Sequence, residues 1–200
     1  PTGINQVYLA TGWNTPTLGT PDYFNICGWS SFDVPSNYFG NENAYTGNSY
    51  VGMVLKNSGS ATFEWREYIQ TQLMSPLIPG LQYELTMHVN LAEYSQYGSD
   101  DIGALFSTTP VARNDNNRFT QIPQAENPTN NFITNTNGWT LLSMSFIADS
   151  AYQFVTIGNF KNDANTSIVP AGNGNSESSY IYIDEISLFI SDSSLQILGD

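Results

Sequence analysis

The chain has 200 residues, 40% apolar and 14% aromatic, enough to build a core in one domain of sandwich size. Five Lys and Arg face eighteen Asp and Glu, a formal net charge of −13. That balance excludes the basic surface nucleic acid requires and disfavours anionic membranes and polyanionic glycans. Neutral glycans, divalent cations and basic partners stay open.

Cys27 is the single cysteine and His88 the single histidine, so neither an internal disulfide nor a zinc cage can form. No apolar run approaches 18 residues, and no membrane insertion is expected. The opening PTGINQVYLA has neither a basic start nor a hydrophobic block. Residues 1–200 are therefore expected to be one mature or excised module with neighbouring domains in a larger exported chain. Little Lys beside abundant Asn, Thr, Ser, Gly and Tyr points to a secreted or bacterial cell-surface protein.

Strand signals follow one another along the chain. A long loop, residues 15–47, holds several Pro, Gly and aromatic residues. Then come SYVGMVL (Ser49 to Leu55), TFEWREYIQTQL (Thr62 to Leu73) and, after the turn SPLIPGLQ, YELTMHVNLAEY (Tyr83 to Tyr94). IGALFS (Ile102 to Ser107) leads into a second long loop that ends at Gly138. WTLLSMSFIA (139–148), YQFVTIGNF (152–160), a segment expected to be mobile (161–179) and YIYIDEISLFI (180–190) complete the chain. Strands at short spacing, broken by turn residues, predict an all-β antiparallel sandwich of two sheets with little helix.

Two strands show their faces. Leu85, Met87, Val89 and Leu91 share one side of their strand; Thr86, His88 and Asn90 share the other. In the preceding strand Trp65, Ile69 and Leu73 point inward, with Glu67 as an anomaly, and Arg66, Tyr68 and Gln70 point outward. If the two strands are neighbours, Arg66, Tyr68, Gln70, His88 and Asn90 form one polar wall. Glu93, Tyr94 and Tyr97 lie at its rim. Flat aromatics beside planar hydrogen-bonding groups suit a sugar, which has apolar C–H faces and a polar edge. Trp13, Trp29, Tyr23 and Tyr38 offer a second site at the loop edge.

The alternation changes phase in the last strand: Ile181 and Ile183 are odd-numbered, Ile186 and Leu188 even-numbered, with Asp184 and Glu185 between them. A β-bulge produces such a flip. Asp184 there either accepts backbone amides or ligates calcium.

In order, AYTGNSYVGM, WREYIQTQLMSPLIPGLQYELTMHVNLAE, IGALFS, GWTLLSMSFIA, FVTIGNF and YIYIDEISLF resemble a galactose-binding-domain-like jelly roll. They are similar to carbohydrate-binding modules of the glucan- and xylan-binding type, in particular those of large secreted surface proteins of Bacteroidota. The resemblance covers most of the chain. It implies a jelly-roll β-sandwich and a structural Ca2+ near the first and last strands, matched here by Asp184 and Asp22, with Asn41 and Asn43 as further candidates. It implies non-catalytic recognition of a polysaccharide or cell-surface glycan. A structural or adhesion module without a sugar ligand is the alternative. Catalysis is not expected: G-x-S-x-G and the E-x-D-x-x-E pattern of jelly-roll glucanases are absent.

Overall fold

A computed structural model describes residues 1–57, 64–171 and 173–191. The start of the strand expected over 62–73 falls outside them, as does Gly172 of the segment expected to be mobile. A 3-10 turn at Val7–Leu9 precedes the strands β1 (Trp13–Asn14), β2 (Asp22–Asn25), β3 (Ser36–Asn37), β4 (Gly40–Asn41) and β5 (Ser49–Asn57). Next are β6 (Tyr68–Gln72), β7 (Gln82–Leu91), β8 (Tyr97–Ser99), β9 (Gly103–Ser107) and β10 (Ala125–Glu126). β11 (Thr140–Ile147), β12 (Phe154–Gly158), β13 (Ile168–Pro170) and β14 (Ser178–Ile190) follow.

Two five-stranded sheets form the jelly-roll sandwich. Sheet I runs β1-β6-β12-β9-β10 and sheet II runs β11-β7-β14-β5-β2. Every pairing within them is antiparallel. The core lies between them. Leu85, Met87, Val89 and Leu91 of β7, with Leu142, Met144 and Phe146 of β11, meet Ile69, Val155, Ile157 and Phe106 of sheet I. The inward face expected for β7 is the observed one.

The phase change in β14 is a bulge. Register against β7 shifts between Asp184 and Ser187, and Glu185 takes φ 51°, a left-handed conformation that side chains with a Cβ rarely adopt. Upstream, Ile181 and Ile183 face the core while Tyr180 and Tyr182 join an aromatic cluster on the outer face. Downstream, Ile186 and Leu188 pack on the core and Ser187 and Phe189 are exposed. Without the extra residue, Glu185 and Ser187 would point inward and Ile186 and Leu188 outward.

The polar wall does not form. β6 and β7 are consecutive in the chain, yet the connection between them crosses from sheet I to sheet II. Arg66 and Tyr68 thus lie with one sheet, His88 and Asn90 with the other. Tyr68 and Gln70 do point out of sheet I, but the second long loop covers them. The Tyr68 hydroxyl donates to the Asn159 carbonyl at 2.5 Å and accepts from the Phe119 amide at 3.1 Å. Its ring packs on Leu105, Phe119 and Phe160. Gln70 bonds both the carbonyl and the amide of Val111, at 2.9 and 3.1 Å.

Arg66 is fully buried and holds the 161–166 turn. It donates to the Lys161 carbonyl at 3.0 Å, Asp163 Oδ1 at 2.7 Å and Thr166 Oγ1 at 3.1 Å. The segment expected to be mobile is further tied by β13, which pairs with β8 at Tyr97–Ser99. The Glu67 anomaly has a cause as well. Its buried carboxylate accepts from the Thr20 amide and hydroxyl and from the Val54 amide. Arg66, Tyr68 and Gln70 therefore serve stability rather than ligand contact. Tyr68→Phe removes the hydroxyl from a buried donor and acceptor, and is expected to cost about 1–3 kcal/mol in urea unfolding.

Candidate functional site

Residues 36–47 cross the outer face of sheet II as a strap, held largely by side chains that accept its backbone amides. At one end Phe39 stacks on Tyr180 with centroids 3.8 Å apart, and the Asn41 amide donates to Glu93 Oε2 at 3.1 Å. In the middle, Glu42 Oε2 accepts from Asn90 Nδ2 at 2.9 Å and from the Gly138 amide at 2.7 Å. The Asn43 carbonyl accepts from Trp139 Nε1 at 2.8 Å. At the other end Asp184 Oδ2 accepts the amides of Tyr45 and Thr46 at 2.9 and 3.2 Å, while its Oδ1 accepts that of Glu185 at 2.8 Å. Partial burial raises the Asp184 carboxyl from its ordinary value, and these amides oppose the rise.

Most of the remaining residues expected to bind a ligand turn out to hold this strap. Asn90 is buried beneath it, and Glu93 seats against Gly40, where a Cβ would overlap the carboxylate. Tyr94 is half-buried and lies against Tyr38 and Phe39, with centroids 5.7 and 6.1 Å away. Tyr97 opens β8 opposite Pro170. The second aromatic group is not gathered either: Trp13 and Tyr23 pack on the core, while Trp29 and Tyr38 are exposed.

The four calcium candidates do not make one coordination shell. Asp184 uses both carboxylate oxygens to accept three backbone N–H groups. Asn41 offers its amide to Glu93, and the Asn43 carbonyl is bonded to Trp139. Asp22, on β2, accepts the Tyr180 hydroxyl at 2.7 Å through Oδ2, while its buried Oδ1 has no hydrogen-bond partner. Among the described residues no group of three or more His, Cys, Asp or Glu is placed to hold a metal.

Past the strap the outer face of sheet II is open. Its rows are Leu141–His88–Asp184, Ser143–Thr86–Ser187 and Ser145–Glu84–Phe189 across β11, β7 and β14. Tyr45 heads this strip. Its ring lies on the His88 imidazole at 3.6 Å and 15°, and the residue remains 48% exposed. Phe189 stands in the third row, 47% exposed, and Ser143 donates to Glu84. The strip from Leu141 to Ile147 is about 20 Å long at ~3.3 Å per residue.

Its charge is negative or neutral. All five cations are bonded elsewhere: Lys56 to the Asp163 and Thr166 carbonyls, Arg66 and Lys161 to Asp163 and Asp101, Arg113 to Asp115 and Arg118 to Glu64. A separate cavity of about 670 Å³ opens between the sheets, lined mainly by apolar groups such as Leu73, Leu77, Ile186 and Leu188. Thr71, Gln72 and Ser75 also line it.

His88 and Thr86 of the strip are legible from the β7 alternation. Tyr45, Ser187 and Phe189 are not, because their neighbourhood depends on the strap and on the strand order. β11 carried the signal for its two serines, since it alternates as cleanly as β7.

No family model matches the chain, and no curated protein matches it. Among solved structures it is similar to the CBM22-1 xylan-binding domain of Paenibacillus barcinonensis Xyn10C, at 9% identity over 92% of this chain and 88% of that one, with TM-score 0.47. It is similar to a Clostridium thermocellum xylanase fragment of CBM22-1 and GH10 modules complexed with xylohexaose, at 9% identity over 94% of this chain and 28% of that one, TM-score 0.45. A cleaved adhesin domain of Lys-gingipain from Porphyromonas gingivalis gives 14% identity over 91% and 92% of the two chains, TM-score 0.41.

Two outcomes follow from the buried carboxylates. Asp184→Ala leaves three amides without their acceptor and is expected to cost about 1–2 kcal/mol by chemical denaturation. Burial pushes the Asp22 carboxyl up to about 7, with the Tyr180 hydrogen bond opposing and the Glu67 charge adding to the rise. A group raised in the folded state favours folding while it is protonated. Its contribution is complete below its ordinary value of 3.8 and is lost as pH rises through about 7. The Asp22 contribution to the unfolding midpoint should therefore fall between about pH 4 and pH 7 and level off above, and Asp22→Asn should flatten that fall.

Proposed function

We propose that this chain is a non-catalytic module that binds a neutral polysaccharide along the open strip of sheet II. The observation that carries the reading is the Tyr45 ring, held flat on His88 and half exposed at the head of a row of hydroxyl and carboxylate groups. A sugar ring offers C–H groups to such a face and hydroxyls to Thr86, Ser143, Ser145, Ser187 and Glu84. His88 backs the Tyr45 ring, and Asp184 fixes the backbone that carries it. The absence of any free Lys or Arg on the strip favours a neutral glycan over an anionic one.

The strip is long enough for a short oligosaccharide and has no enclosing walls, so each site binds weakly. Strength then comes from many copies engaging one polymer. Among the described residues no helix is long and apolar enough to cross a membrane. A place outside the cell, or on its surface, suits a module that meets polymers too large to enter.

Affinity gel electrophoresis in a panel of neutral polysaccharides tests this. Wild type is expected to be retarded by at least one of them. Tyr45→Ala should weaken the retardation roughly tenfold, about 1.4 kcal/mol, whereas Tyr68→Phe should keep it because Tyr68 lies under a loop. Free migration of wild type through every gel would end the reading.

A further inference from the structure

β11 forms one edge of sheet II, and among the described residues β7 is its sole hydrogen-bonded neighbour. Natural edge strands are blunted by charged side chains, proline, bulges or shortness. Thr140–Ile147 has none of these. It is eight residues long, contains no Pro, Gly or charged residue, and pairs with β7 without a register shift. In a chain of net charge −13, this segment itself carries no charge, and Glu84 beside it on β7 is bonded by Ser143.

The strand is also palindromic in its chemistry. About Met144, Ser143 mirrors Ser145, Leu142 mirrors Phe146 and Leu141 mirrors Ile147. The two large residues on its outward face, Leu141 and Ile147, are 57% and 65% exposed. We propose that two copies pair antiparallel along β11, with a twofold axis through Met144, to make one continuous ten-stranded sheet.

In that register Leu141 of each copy lies opposite Ile147 of the other, and Ser143 opposite Ser145, on the open face. Each is a cross-strand pair of like character. Leu142 and Phe146 face each copy's own core, where they are already buried, so the new side-chain contacts are those of the open face. A slip of one residue would set outward side chains against inward ones, and a slip of two would set Leu141 against serine. The interface is isologous, so it closes at two copies instead of growing into a fibre. The pairing stands independently of glycan binding, although it would lay the two strips side by side on one face.

Sedimentation velocity of the full chain over a concentration series tests it. Wild type is expected to move from the mass of one chain to twice that mass. Leu141→Lys with Ile147→Lys places like charges opposite each other twice and should leave only the single-chain mass. Leu141→Lys with Ile147→Glu puts the same number of charges at the same exposed positions in complementary pairs, and should retain the dimer. Unchanged circular dichroism in both variants shows that the fold is intact. Wild type at single-chain mass up to about 1 mM, a persisting dimer in the Lys/Lys variant, or loss of the dimer in both double variants would each overturn the proposal.

Discussion

The carboxylate of Asp184 is the point on which both the fold and the candidate site depend. It accepts the amide of Glu185 inside the bulge and those of Tyr45 and Thr46 in the strap. One side chain thereby stabilises a residue in a disfavoured backbone conformation and anchors the loop that reaches it from 139 residues away in sequence. The bulge in turn lets Ile186 and Leu188 reach the core while Ser187 and Phe189 face outward. The strap ends where the bulge begins, and the open strip starts there.

The same chemistry explains why so acidic a chain folds with so few cations. Its carboxylates are used largely as acceptors for backbone amides in loops. Glu42 takes the amides of Asn43 and Gly138, Glu67 those of Thr20 and Val54, and Glu93 that of Asn41. Asp100 takes that of Asn130, and Asp101 that of Ser167. Such charge-assisted bonds satisfy backbone donors, most of them in loops, that no strand partner takes up. The acidity that would otherwise read as a property of the surface is in part the means by which long irregular segments are pinned to two sheets.

This covering decides where a ligand can dock. Each sheet has an outer face, and each long loop lies on one of them. The segment from Val111 to Phe119 seals sheet I over Tyr68 and Gln70. The strap covers only the half of sheet II that carries the large aromatics Tyr50, Tyr180 and Tyr182. The half left open carries four hydroxyls, Thr86, Ser143, Ser145 and Ser187, beside the acids Glu84 and Asp184 and the exposed apolar Leu141 and Phe189, with an edge strand at its side. The proposed glycan strip and the proposed pairing edge are compatible because the first would use the face of β11 and the second its backbone.

Alternation along a single strand was legible in the residues themselves, because side chains in extended backbone point alternately to opposite faces whatever surrounds them. The inward set on β7 and the phase flip at Asp184 could be read that way and are present in the structure. Sheet membership was not legible. Tyr68 and His88 share one wall only if their strands are neighbours, but a connection between consecutive strands can either turn back within a sheet or cross to the other, and here it crosses. Whether an outward face meets water or a loop was hidden for the same kind of reason. Nothing local to Arg66, Gln70 or Asn90 records that a segment tens of residues away will settle on them. Contacts between distant parts of the chain, and not the pattern of any one strand, decided which polar side chains became structural and which were left free.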